Sequence, residues 1–256
     1  MYEAMMIAAT GLQNQQRRID VIANNVANIN SAGYKSARLD FKDALYTAGH
    51  TPGPPRTPSP EGNQQKGHGV MVAGIVKDFS TGNVQRTERN LDVAIIGEGF
   101  LELEDRSGDI VYTRNGSMYL DDDGWLVNSD GLFFHDAYGN RIQAPYGTHT
   151  INIDKSGVIE FIAGEYETTA ELGLYTFRNV AGLATTGRGT YSESPASGEK
   201  RPATNAVIRQ GMLEGSNVDL SEEMTRIIRT QRTFQLASRA LSTADQMEGI
   251  ANNLRK

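Results

Sequence analysis

The sequence predicts an α+β fold: long amphipathic helices at both ends forming a coiled-coil-like helical region, and a central antiparallel β domain arranged as a meander or barrel. Three observations carry this expectation. Apolar residues step by three and four along the first thirty positions and again beyond Asp219. Between Gly69 and Phe177 the period falls to two, in short runs rich in β-branched and aromatic residues. Gly-containing turn pairs interrupt those runs at roughly eight-residue intervals, the spacing of successive hairpins.

The first segment, residues 1–33, reads as a helix. Met5, Leu12, Ile19 and Val26 repeat every seven residues, and Ala8, Ile22 and Ile29 fill the three-residue offsets, with one polar break at Gln15. Such a narrow stripe, flanked by Gln13, Asn14, Gln16, Arg17 and Arg18, suits a helix packed on another helix. Asn24, Asn25, Asn28 and Asn30 weaken helix propensity, and Gly33 supplies a residue that tolerates a left-handed cap, so the helix should end between Asn28 and Gly33.

Residues 34–68 read as a linker or extended segment, because five of the eight prolines fall between Pro52 and Pro60 and little there can be buried. Residues 69–210 form the expected β domain. Its candidate strands are Val70 to Val76, Leu91 to Ile96, Phe100 to Leu103, Ile110 to Thr113, Ser117 to Leu120, Trp125 to Val127, Leu132 to Phe134, Thr150 to Ile153, Val158 to Ile162 and Leu172 to Phe177. The polar run from Thr185 to Thr204 reads as a second linker, or a loop ordered only by a neighbour.

The last segment, residues 211–256, holds the second helix, with Leu220, Met224, Ile227, Phe234, Ala237, Leu241, Ala244, Ala251 and Leu254 at helical spacing. Asp219 or Ser221 can cap its start, and Glu222 and Glu223 favour the positive end of the helix dipole. The candidate interface between subunits is therefore the two stripes: Met5, Leu12, Ile19, Ile22, Val26 and Ile29 in the first, Leu220, Met224, Ile227, Phe234, Leu241, Ala244 and Leu254 in the second.

Composition removes several kinds of chemistry. The chain of 256 residues contains no Cys, hence no disulfide, thiolate metal site or cysteine nucleophile, and its four His lie far apart at 50, 68, 135 and 149. No cofactor or metal is expected. A formal charge of -6 gives no bulk attraction to phosphate, so nucleic acid is not an expected partner. No run approaches the roughly 18 apolar residues of a membrane span, so direct membrane insertion is not expected. The amino terminus lacks the basic stretch of a signal peptide, so cleavage is not expected either.

Local motifs give way to structural readings. Asp121-Asp122-Asp123-Gly124 fails as a calcium loop because Trp125 and Val127 stand where ligands belong. Gly97-Glu98-Gly99 begins like a dinucleotide fingerprint, but Glu102 stands where the last Gly belongs and no helix follows. The rival to a non-enzymatic, self-assembling protein is a β-barrel carbohydrate hydrolase using acids among Glu102, Glu104, Asp105 and Asp109. A polymer-binding module built on Trp125 and Phe133 is the third reading.

The run Gly11-Leu12-Gln13, followed by Ile22-Ala23-Asn24-Asn25-Val26-Ala27-Asn28-Ile29-Asn30-Ser31-Ala32-Gly33-Tyr34-Lys35, resembles the amino-terminal signature of bacterial flagellar rod and hook proteins. The likeness continues through Leu91 to Phe100, Tyr112 to Ser117, Gly124 to Val127, and then Leu213-Glu214-Gly215-Ser216-Asn217-Val218-Asp219. Its motif residues here are Asn24, Asn25, Asn28, Gly33, Tyr34, Lys35, Gly97, Gly99, Phe100, Gly215, Asn217 and Val218. A length near 260 with one modest β region resembles rod subunits more than the hook subunit. The resemblance implies an axial, non-enzymatic protein of the basal body, its terminal helices in an inner tube and its β domain outside. It also implies as partners copies of the same chain, other rod and hook proteins and the flagellar export apparatus.

Overall fold

A computed structural model describes residues 2–43, 46–48, 65–67, 70–164 and 166–253. The chain divides into two compact units: a helical unit of Met1–Val26, Ala37–Val76 and Leu220–Lys256, and a β unit of Ala27–Ser36 and Lys77–Asp219.

In the helical unit, α1 spans Tyr2–Ala27 and α2 spans Leu220–Asn253, 26 and 34 residues long. Four strands lie between them in sequence: β1 (Ala37–Asp43), β2 (Tyr46–Ala48), β3 (Gln65–Gly67) and β4 (Val70–Lys77). β1 pairs with β4, and β2 with β3 in antiparallel register, Tyr46 opposite Gly67 and Ala48 opposite Gln65. The apolar alternation Ala37, Leu39, Phe41 explains β1, a strand inside what reads in the sequence as linker. The proline-rich stretch from Pro52 to Pro60 lies outside the described residues.

The expected coiled-coil-like helical region requires correction. Among the described residues the structure has two α-helices and a multi-stranded antiparallel region, and no long coiled coil. A coiled coil seats its apolar residues in holes on the partner helix. Among the described residues of the expected seam only Ile22 is buried, at 3% exposure, while Met5, Leu12, Ile19, Val26, Ile227, Phe234, Leu241 and Ala244 are half-buried. Leu220 and Met224 are 44% and 47% exposed. The tie between the helices is polar, Asn25 Nδ2 donating to Glu223 Oε1 at 3.4 Å. A heptad determines which face of a helix is apolar; it does not supply the surface that covers it.

The β unit contains β5 (Val84–Arg86), β6 (Val93–Ile96), β7 (Phe100–Glu104), β8 (Ile110–Thr113), β9 (Tyr119–Leu120), β10 (Leu126–Val127), β11 (Phe133–Phe134), β12 (Thr150–Ile153), β13 (Val158–Ala163) and β14 (Tyr166–Glu171). It continues with β15 (Leu174–Phe177), β16 (Ala184–Gly187), β17 (Thr190–Ser192), β18 (Lys200–Pro202), β19 (Val207–Gln210) and β20 (Met212–Glu214). The largest sheet runs β16-β17-β8-β7-β11-β10-β9, with β15 added to β7 and β18 to β15. β12, β13 and β14 form a three-stranded meander, and the pairs β19-β6 and β20-β5 return the chain toward α2. The polar run after Thr185 is ordered by neighbours: Tyr191 pairs with Tyr112, and Arg201 with Thr176.

Val93, Ile95, Leu101, Leu103, Met118 and Phe134 are fully buried in the core of this unit. A second cluster stacks Phe100, Tyr112, Phe177 and Tyr191 edge to face, with Tyr112 and Phe177 centroids 4.9 Å apart. Among the described residues no helix is long and apolar enough to cross a membrane.

Candidate functional site

The most heavily buried charges of the β unit lie where the chain enters it after α1 and leaves it before α2. Lys35 and Glu214 are both fully buried, and Lys35 Nζ donates to Glu214 Oε1 at 2.6 Å and to the Ser80 carbonyl at 2.7 Å. The Gly82 amide donates to the same Glu214 oxygen at 2.8 Å. Arg114, 3% exposed, approaches Glu214 Oε2 at 3.5 Å and donates to the Gly97 carbonyl at 2.8 Å. One carboxylate thus serves two buried cations. Burial pulls the Lys35 ammonium below its ordinary range, and the hydrogen bond and charge of Glu214 oppose that pull. Arg114 is lowered for the same reason, again opposed by Glu214.

Backbone bonds stitch the same three segments. The Gly33 amide donates to the Glu214 carbonyl at 2.7 Å, and that of Gly215 to the Asn83 carbonyl at 2.8 Å. The Ser36 amide donates to Asn217 Oδ1 at 2.7 Å, while Asn217 Nδ2 donates to the Asp78 carbonyl at 2.9 Å. Two glycines permit this approach. At Gly33, with φ +68°, a Cβ would sit 2.6 Å from the Asn115 nitrogen, and at Gly82 it would collide with the Gly215 carbonyl. Lys77 lies 4.9 Å from the centroid of the Tyr34 ring.

In the helical unit, Asn25 is fully buried and acts as a surrogate strand. Its Nδ2 donates to the Ala37 carbonyl at 2.8 Å and its Oδ1 accepts the Ala37 amide at 2.9 Å, satisfying both backbone groups where β1 begins. An amide side chain is the one that offers both a donor and an acceptor in this geometry.

The structure therefore brings Gly33, Lys35, Gly215 and Asn217 together, and Tyr34 covers Lys77 beside them. Asn24 is exposed, Asn28 half-buried with its Oδ1 accepting from Ser31 Oγ at 3.2 Å, and Val218 half-buried. Gly97 and Gly99 join β6 to β7, and Phe100 faces Arg114 at 5.4 Å. Ile29 is half-buried in the β unit, and Leu254 lies outside the described residues. The sequence does not single out Ser80, Gly82 or Arg114 as partners, since nothing local marks a bond that spans the chain.

A second charged cluster contains two of the candidate hydrolase acids. Glu102, 1% exposed, pairs with Lys200 at 2.5 Å and with His135 Nδ1 at 3.2 Å; Glu104 takes His135 Nε2 at 2.8 Å and both arms of Arg141 at 2.8 and 2.9 Å. The hydrogen bonds from Arg141 and then His135 hold the Glu104 carboxyl down at about 2. A general acid needs the opposite shift. Trp125 and Phe133 stack edge to face at 6.2 Å and are both half-buried. Among the described residues no group of His, Asp and Glu is placed to hold a metal ion.

Three family models match the chain: flagella basal body rod protein over residues 5–35, the flagellar hook protein FlgE/F/G D1 domain over 94–161, and the flagellar basal body rod FlgEFG protein C-terminal region over 209–254. The flagellar basal-body rod protein FlgG of Borreliella burgdorferi is 36% identical over 273 aligned positions, covering all of both chains. Those of Agrobacterium fabrum, 37% identical with 97% of this chain and 98% of the relative covered, and of Bacillus subtilis, 33% identical with both fully covered, agree with it. The chain belongs to the flagellar basal-body rod protein family. Its place is the basal body and its role there is structural, a subunit of the rod. The ends of the first and the beginning of the third matched region are the segments that meet around Lys35 and Glu214, so in this rod protein the buried ion pair joins the two terminal family regions.

Proposed function

We propose that this rod protein is the distal-rod subunit, a non-enzymatic axial protein that self-assembles through α1 and α2 into a helical tube and transmits motor torque to the hook. The relatives named FlgG, matched along all or nearly all of their length, support the distal position. The observation that carries self-assembly is the set of bare apolar side chains on the two helices: Leu236 is 65% exposed, Ile250 60% and Met6 55%. Each such side chain gains about 1.5–3 kcal/mol when fully buried, and side-by-side helices from many copies bury them without closing into a ring. The seams from Met5 to Ile29 and from Leu220 to Ala244 belong to this contact, and other rod and hook proteins meet the same tube at its ends. The chain reaches its place through the flagellar export apparatus.

The reading is tested with Leu236→Glu and Ile250→Glu, substitutions at exposed positions that leave the monomer fold intact. Cells carrying either variant should be non-motile, with basal bodies that lack the distal rod. Working flagella built from the doubly substituted chain would overturn the assembly role of α2.

A further inference from the structure

Charge is divided unevenly between the two units. The helical unit has 12 Lys and Arg against 9 Asp and Glu, the β unit 13 against 22. Within the helical unit, Arg18, Glu222, Arg226 and Arg229 line a groove of about 510 Å³. Arg226 is already committed, to Glu222 at 2.6 Å and Glu223 at 2.8 Å. Thr230 and Thr233, also lining the groove, turn their hydroxyl protons back onto the Arg226 and Arg229 carbonyls. The donors left to the groove are the guanidinium groups of Arg18, which lies 5.9 Å from the centroid of the Phe41 ring, and of Arg229, both exposed and neither in an ion pair among the described residues.

The β unit carries an exposed surface of opposite sign. Asp121, Asp122 and Asp123 are exposed at the turn between β9 and β10, braced by the Asp121 amide on the Trp125 carbonyl at 2.9 Å and the Gly124 amide on the Asp121 carbonyl at 2.9 Å. The hollow they share with Gln143 and Tyr146 contains no cation, whereas the other Asp-lined hollow, around Asp105 and Asp109, contains Arg106 and Arg188. Carboxylate and guanidinium are the groups whose bidentate pairing arginine favours, and neither Arg18 nor Arg229 has a carboxylate partner among the described residues.

We propose that the Asp121–Asp123 turn of one copy docks into the Arg18–Arg229 groove of a second copy, a contact that fixes the register of neighbours in the assembly. It rests on the self-assembly reading above, and adds to the apolar seams a polar contact that selects one register. Carboxylate and guanidinium lie on different patches of the chain, which permits a head-to-tail contact, and such a contact extends into a filament when its rotation does not close. It also makes growth sensitive to salt, because exposed pairs are screened beyond about 10 Å at 0.1 M ionic strength.

The test uses the full-length chain, which has no native Cys. Polymer formation is followed by light scattering and electron microscopy for the unaltered chain, Arg229→Glu, Asp122→Arg and the double variant, after circular dichroism has shown each to be folded. Each single reversal should raise the concentration needed for polymer about tenfold, and the double variant should return to within about threefold of the unaltered chain. In parallel, Asp122→Cys and Arg229→Cys chains are mixed with a short bis-maleimide and should yield a heterodimer that neither gives alone. An unaltered chain that never polymerises overturns the assembly reading and this contact with it. Polymer that forms normally from Arg229→Glu, with no cross-linked heterodimer, overturns the contact alone and leaves the assembly reading standing.

Discussion

Apolar residues of the β unit and those of the helical unit obey the same physics and reach opposite outcomes. Val93, Ile95, Leu101, Leu103, Met118 and Phe134 disappear completely beneath their own sheets. Leu236, Ile250, Met247 and Met6 stay more than half exposed on helices whose buried residues are largely polar: Asn14, Asn25, Glu223 and Thr230 accompany Ile22. A sheet folded on itself supplies its own cover. A pair of single helices with narrow stripes does not, and exposed apolar rows of this kind mark surfaces for a further partner. The β unit covers its apolar core with its own strands; the helical unit leaves apolar side chains bare.

The charged residues divide the same way, which makes the comparison open to attack. Glu214→Gln should do the largest damage, because it leaves Lys35 and Arg114 buried with no counter-charge. A loss of about 3–5 kcal/mol in urea unfolding of the full chain is expected. Lys35→Met should cost less, since Arg114 still faces the carboxylate. Equal losses from the two would mean that Arg114 takes no part in neutralising Glu214.

Asn25→Ala comes next. It strands the amide and carbonyl of Ala37 where β1 starts, for an expected loss of about 1–3 kcal/mol, accompanied by faster hydrogen exchange in α1 and β1 but not in β6 to β8. Protection lost uniformly through the chain would contradict the division into two units.

The smallest effect is expected from Arg141→Ala, and it is read as a pH dependence. The Glu104 carboxyl sits at about 2 in the fold against an ordinary 4.5, so its contribution is present above pH 4.5 and is lost as pH falls toward 2. Removing Arg141, the largest cause of the shift, should flatten the acid limb of the stability curve between those values by lowering the plateau above pH 4.5 modestly, since Arg141 is partly exposed, while stability near pH 2 stays almost unchanged. A steeper acid limb would show that the sign is wrong.

Particular residues show where a sequence can be read and where it cannot. The seven-residue spacing of Met5, Leu12, Ile19 and Val26 is local and marks α1 directly. Strands such as Phe100 to Glu104 and Thr150 to Ile153 announce themselves by composition and by the turns beside them. β1 is concealed because Arg38, Asp40 and Lys42 alternate with its apolar residues beside a proline-rich run. β17 and β18 are concealed because their order comes from pairing with β8 and β15, strands distant in sequence. The coiled-coil expectation went astray because periodicity describes one face of one helix, whereas a coiled coil is a property of two.

By itself, the sequence determined the kinds of element, the family signature and the absence of cysteine chemistry, all of which depend on residues within a few turns of one another. Only the tertiary structure decided that Lys35 meets Glu214, that Asn25 serves Ala37, and that Glu102 and Glu104 are tied to Lys200, His135 and Arg141. The physical reason is that a buried charge or amide is tolerated only beside its partner, and that partner can lie anywhere along the chain.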